Sequence, residues 1–191
     1  WRTLSDAFKV IQEPRTLSNM LDEKATLDWQ VIRVTFDGLG FLLHGQPLWN
    51  GRFKRVLQFH APGLAPVLGQ DGWYHIDQHG QPAYPERYDR AFGYYEDRAS
   101  VCDGGTWFHI DPLGHRVGSQ SFAWCGNFQE GRCTVRAGDG SYHHIQADAM
   151  SAYMDKYRYA GDFRDGVACV KMMNGLFMHI DLFGQPIHDG R

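Results

Sequence analysis

The sequence predicts an all-β protein of tandem repeats about 35 residues long, and three observations carry that prediction. The pair His-Ile recurs at His75, His109, His144 and His179, spaced 34, 35 and 35 residues. An Asp-Gly or Asn-Gly dipeptide precedes each pair, at Asp71-Gly72, Asp103-Gly104, Asp139-Gly140 and Asn174-Gly175. Around each pair the side chains alternate with a period of two, as a strand with distinct faces requires. The expected architecture is three to four short antiparallel strands per unit, in four to five units with the last incomplete. The units form an open curled solenoid or a propeller-like array, and their number slightly favours the open form.

Residues 1–30 depart from the repeat and are assigned to a short N-terminal helical cap, with residues 31–191 as the β-repeat domain. Thr3 followed by Asp6 resembles a capping box, and Leu4, Phe8 and Ile11 keep helical spacing until Pro14 stops the run. A second, weaker helix is expected over Leu17 to Lys24. A degenerate first unit ends at Gly45-Gln46-Pro47, matching Gly80-Gln81-Pro82 and Gly184-Gln185-Pro186.

In each full unit a strand such as Ala99-Ser100-Val101, Cys133-Thr134-Val135 or Ala168-Cys169-Val170 runs into the Asp-Gly or Asn-Gly turn, which tolerates positive φ and reverses the chain. The return strands are 73–77, 107–111, 142–146 and 177–181. They close on Asp-x-x-Gly, as in Asp111-Pro112-Leu113-Gly114, which fits a type I turn. A further short strand leaves through Gln81 to Tyr84, and the aromatic-rich segments 88–95, 122–128 and 157–163 lead into the next unit.

On the return strand Ile76, Ile110, Ile145 and Ile180 share a face with Tyr74, Phe108, His143 and Met178, and that face is assigned to the core. The opposite face repeats an aromatic, a histidine, then an acid or amide. It carries Trp73, His75 and Asp77, then Trp107, His109 and Asp111, then Tyr142, His144 and Gln146, then Phe177, His179 and Asp181. This face is the expected ligand surface. Trp124 and His143 join it as candidates because they break the repeat, and a ligand site must differ between units while scaffold positions need not.

Several chemistries are disfavoured. With 19 basic and 22 acidic residues, a net charge of −3 and no long run of like charges, a nucleic-acid partner is not expected. No apolar run approaches the 18 residues of a membrane span. Cys102, Cys125, Cys133 and Cys169 form no Cys-x-x-Cys pair, so free thiols and a reducing cytoplasm are expected. Four histidines in register invite a His/Asp metal site, but a residue that recurs once per unit is more economically explained by the unit's own geometry, each ring bonding its own repeat's backbone or the Asp two residues on. The Asp-Gly pairs lack the dense acidic loop of a calcium site. No nucleophile elbow, phosphate loop or dinucleotide fingerprint is present, so no catalytic residue, metal ligand or cofactor is assigned. The charged residues Asp162, Arg164 and Asp165 are read as a solvated connector, since Asn127, Gln129 and Glu130 stand there in the preceding unit.

The repeated Ala-x-Val strand, Asp-Gly turn and aromatic strand ending in Ile-Asp, with the connecting segments 128–135 and 163–170, resemble the bacterial WG-type β-rich repeats over residues 32–191. The sequence departs from that pattern by placing histidine where a small or aromatic residue is usual. The resemblance implies an accessory or binding module, sometimes joined to other domains such as methyltransferases, and its motifs are structural. The expectation is therefore a non-enzymatic module of a larger polypeptide that recognises a protein, peptide or glycan. The alternatives are a regulatory domain of an enzyme and a His/Asp metal-binding protein.

Overall fold

The computed structural model describes residues 27–49 and 53–187. The expected helical cap lies, up to residue 26, outside the described residues. At its end stands a single 3-10 turn, Trp29–Val31, opened by the Asp28 carboxylate, which accepts the Gln30 N–H at 2.9 Å.

The remainder is β-structure in five small antiparallel sheets, each built from consecutive strands. The first sheet holds β1 (Ile32–Val34), β2 (Phe41–Leu43) and β3 (Gln46–Leu48). The second holds β4 (Arg55–Val56), β5 (Ala65–Leu68) and β6 (Trp73–Ile76). The third adds a fourth strand and runs β7 (Arg90–Tyr95), β8 (Arg98–Asp103), β9 (Thr106–Ile110) and β10 (Arg116–Phe122). The fourth contains β11 (Trp124–Gln129), β12 (Arg132–Arg136) and β13 (Tyr142–Ile145), and the fifth β14 (Tyr159–Ala160), β15 (Val167–Lys171) and β16 (Phe177–Asp181). The outer-strand position next to β6, β13 and β16 is marked by isolated bridges, Ile76 to Pro82 and Trp73 to Tyr88, Ile145 to Ser151 and Tyr142 to Tyr157, and Ile180 to Pro186.

The aromatic-rich segments expected to connect units are in fact the first strands of their sheets. The tight hairpins join these to the second strands, where Glu96-Asp97, Glu130-Gly131 and Asp165-Gly166 all take positive φ, the geometry of a two-residue turn that matches strand twist. Of the expected Asp-Gly and Asn-Gly hairpins, Gly104-Gly105 makes such a turn, whereas residues 137–141 and 172–176 form longer connections. All four dipeptides thus lie in connections between antiparallel strands, as expected, and only the turn lengths differ, since Asp-Gly marks a turn without fixing its length.

The core is divided among the interfaces between neighbouring sheets. Ile32, Phe41, Val67 and Ile76 pack between the first and second, and Tyr94, Val101 and Ile110 between the second and third. Cys125, Phe128, Val135 and Ile145 pack between the third and fourth, and Phe163, Val170 and Ile180 between the fourth and fifth. Each unit buries its apolar face on its neighbour, as a repeat array must.

Two further devices lock the stacking. The rings of Trp49, Tyr84 and Tyr153 lie on the turn glycines Gly80, Gly114 and Gly184 of the next unit, so closely that a Cβ at Gly114 would stand 2.6 Å from Tyr84 Cγ. On the exposed rim, the Glu96 carboxylate accepts the Gly131 N–H at 2.8 Å, and Glu130 accepts those of Asp165 and Gly166 at 2.7 and 2.8 Å. Each hairpin thus ties down the next hairpin tip. The segment holding Glu130 and Asp165, read from sequence as a solvated connector, is part of this ladder.

Candidate functional site

The first strands of the third and fourth sheets carry β-bulges, between Ala91 and Tyr94 and between Cys125 and Phe128. A bulge removes residues from the ladder and re-aims their groups. The carbonyls of Phe92 and Gly126 lie in these bulges, and a buried carbonyl without a donor is costly, by about 1 to 3 kcal/mol. The recurring histidines meet that need. His75 Nε2 donates to Phe92 O at 2.8 Å, and His144 Nε2 to Gly161 O at 2.8 Å. At His109 the tie is longer and shared, because Nε2 lies 3.4 Å from Gly126 O and 3.0 Å from Ser100 Oγ, which itself donates to Gly126 O. Each histidine therefore reaches 17 residues ahead into the next unit.

With Nε2 as the donor, Nδ1 is left as an acceptor. Tyr84 OH fills it at His75, and Tyr153 OH at His144. Gly118 occupies the equivalent place for His109, whose Nδ1 is buried without a partner among the described residues. Burial lowers the pKa of His75 and of His109 to about 4, and pushes that of His144 down as well. All three rings are thus neutral at pH 7.

This placement corrects the expected ligand face. His75, His109 and His144 are at most 1% exposed, because the next sheet packs on them. Nor do they bond to their own unit's backbone or to the following acid. Asp77 Oδ1 instead accepts the N–H groups of His79 and Gln81, Asp111 Oδ1 those of Leu113 and His115, and Asp181 Oδ1 those of Phe183 and Gln185, closing the turns. Trp107 is buried with its ring stacked on Phe92 at 5.2 Å, and Trp73 is half-buried beside the bridge to Tyr88. His143 is buried against Phe122, with centroids 5.9 Å apart. His179 is exposed on the last sheet, near Phe177 at 63% exposure.

Trp124 behaves differently. It is 37% exposed and lines an open hollow of about 490 Å³ to which four units contribute. Leu57, Gln58 and His60 come from just after β4, Phe92, Gly93 and Tyr95 from β7, Trp124, Gly126 and Asn127 from β11, and Asp162 from just after β14. The first strands of four sheets thus converge on one point. Within the hollow His60 and Tyr95 pack with centroids 4.6 Å apart, and Gly93 makes this fit possible, since a Cβ there would lie 2.7 Å from the His60 ring. A Cβ at Gly126 would likewise stand 3.1 Å from the Trp124 ring. Asn127 Oδ1 is buried with no hydrogen-bond partner among the described residues.

The family model of the WG containing repeat matches residues 76–107 and 156–177, segments that run from a return strand through the first two strands of the next sheet, and from a first strand to its return strand. Two segments of the protein thus match WG repeats. No curated protein matches the chain by sequence. Among solved structures the WG-repeat array is similar to the computationally designed Ika8 protein, with TM-score 0.54 and 17% identity over 84% of this chain and 58% of that one. It is also similar to BamB from Moraxella catarrhalis, with TM-score 0.51 and 16% identity over 85% and 61% of the two chains. KlHsv2 with loop 6CD replaced by a Gly-Ser linker gives TM-score 0.50 and 10% identity over 70% and 51%. At these identities the likeness concerns the fold, and the chain spans less than two thirds of each of the three.

The chemistry open to this WG-repeat array follows from burial. Cys133 Sγ lies 3.4 Å from His109 Nε2, but burial raises the pKa of Cys133 and lowers that of His109, so the pair is a neutral contact and not a thiolate nucleophile. No cluster of three or more His, Cys, Asp or Glu side chains suited to a metal occurs among the described residues, and no helix there is long and apolar enough to cross a membrane. The hollow is lined by aromatic side chains, two amides and a carboxylate. Sequence reasoning passed over Asn127 and Asp162, although it aligned them. Their signal was that one register position reads Gln58, Gly93, Asn127 and Asp162 while the next repeats an aromatic, Phe59, Tyr94, Phe128 and Phe163.

Proposed function

We propose that this WG-repeat protein is a non-enzymatic interaction module that holds an exposed peptide segment of a protein partner in the hollow where four first strands converge. The observation that carries this reading is the pairing of a fixed scaffold with a varied lining. The units repeat their histidine ties and turns, yet differ at the position that supplies Gln58, Gly93, Asn127 and Asp162. The volume, about 490 Å³, falls in the range of sites that bind small ligands or anchoring side chains. Trp124 supplies the large amphipathic side chain that commonly dominates binding energy at such centres. A setting away from the membrane in a reducing cytoplasm accords with four free cysteines, three of them buried.

Selection from a random peptide display library on immobilised protein tests the reading. The wild type is expected to enrich a consensus, and Trp124→Ala to lose it while keeping its circular dichroism spectrum. Enrichment of the same peptides by Trp124→Ala with undiminished affinity would refute the hollow as the site.

A further inference from the structure

We infer that the hollow takes a basic side chain, the ammonium of a lysine or the guanidinium of an arginine, as the anchor of its partner, an inference that rests on the reading of the hollow as a peptide site. Three features converge on this chemistry. The hollow's charge is a single carboxylate, Asp162, which is exposed and makes no ion pair among the described residues. Its buried unpaired polar atom is Asn127 Oδ1, an acceptor that lacks a donor among the described residues. Its lining includes the aromatic side chains Trp124, Tyr95 and Phe92, a residue type that attracts cations through the ring quadrupole and packs on an aliphatic stem.

Among the described residues no cation fills this role. Lysine and arginine are absent from the lining, and His60 is held neutral at pH 7 because burial lowers its pKa. Arg136 lines the neighbouring hollow of about 380 Å³, which shares Trp124 and Asp162, and its guanidinium lies over the Tyr142 ring at 5.9 Å from the centroid. An apolar anchor would leave the Asn127 acceptor unpaired, a neutral donor would pair it without meeting the charge of Asp162, and an acidic anchor would face that carboxylate. A basic head satisfies both groups with donors it carries in excess.

The test uses N-acetyl-lysine methylamide, its arginine counterpart and the uncharged isostere N-acetyl-norleucine methylamide. Each is titrated into the protein while the indole N–H resonance of Trp124, assigned with Trp124→Phe, is followed by NMR. The lysine or the arginine probe is expected to shift that resonance saturably, with about tenfold tighter apparent binding than norleucine, as one charge-assisted hydrogen bond supplies. Asp162→Asn, at an exposed position that leaves the core untouched, is expected to erase most of that difference, and added salt to reduce it. Equal binding of norleucine, an unchanged preference in Asp162→Asn, or no saturable shift with either basic probe would overturn the inference. Display selection that enriches peptides through Trp124 without a lysine or arginine anchor overturns it too while leaving the peptide site standing, whereas failure to enrich any consensus removes that site itself.

Discussion

His75, His109 and His144 are neutral because each ring is enclosed between two sheets, and this gives the fold a defined response to acid. In the unfolded chain these rings take up protons below about pH 6.5, whereas the folded values for His75 and His109 are about 4. Between those limits protonation favours the unfolded chain. The contribution of His75 and His109 is complete above pH 6.5 and is lost as pH falls toward 4, by roughly 1.4 kcal/mol per pH unit for each of the two. Urea midpoints that are level from pH 7 to 8 and drop steeply between 6 and 4.5 are expected, and an unchanged midpoint at pH 5 would contradict the buried, neutral assignment. Replacement of His144 by alanine leaves Gly161 O to Thr134 Oγ1 alone, strips Tyr153 OH of its acceptor and opens a cavity, so a loss of about 2 to 4 kcal/mol is expected. The same change at exposed His179 should cost less than about 0.5 kcal/mol, measured by the same denaturation. The glycines divide in the same way. Gly114 sits at φ +83 under the Tyr84 ring, and Gly114→Ala should cost more than about 2 kcal/mol. Ala149 can replace a glycine there because Gly118, not an aromatic residue, stands opposite, with a hypothetical Cβ 3.0 Å from that of Ala149. The departure of Ala149 from the repeat is therefore an exchange of packing partners.

At the scale of strands and turns, most of the sheet structure was legible from sequence, and the reason is local. Residues alternating about Ile76, Ile110, Ile145 and Ile180, with Asp at one end of each turn and Gly at the other in three of four units, specify a strand and its closure within ten residues. What was not legible depends on partners roughly one period away. The histidine alternates with isoleucine on the return strand, so a period-two reading places it opposite the core. Yet in a stacked array both faces of the return strand are covered, one of them by a bulged strand 17 residues downstream. Bulges leave no mark in the alternation pattern, and so the carbonyl that needs the histidine could not be seen. The rim ladder was hidden for the same reason, since Glu130 meets Asp165 and Gly166 only once the units are stacked. Glu130→Gln should leave the global midpoint almost unchanged but speed hydrogen exchange at the Asp165 and Gly166 amides severalfold, and equal exchange in both proteins would exclude the ladder as a restraint.

At the scale of the whole molecule, five sheets with four separate interface cores make stability a sum of neighbour contacts and not the property of one centre. The same stacking brings the first strands of four units around a single hollow, which no single repeat could form. Trp124 was found from sequence because it breaks the period, whereas Phe92, Asn127 and Asp162 acquire meaning only through convergence. The central claim is that the partner enters at this convergence and not along the outer turns or the histidine face. Hydrogen–deuterium exchange of the intact protein with and without a display-selected peptide tests this most directly. The account predicts protection gained together over residues 57–60, 92–95, 124–127 and 161–163, with the turns at 111–115, 146–150 and 181–185 unchanged. Protection confined to those turns, with the four first-strand segments unaffected, would contradict it.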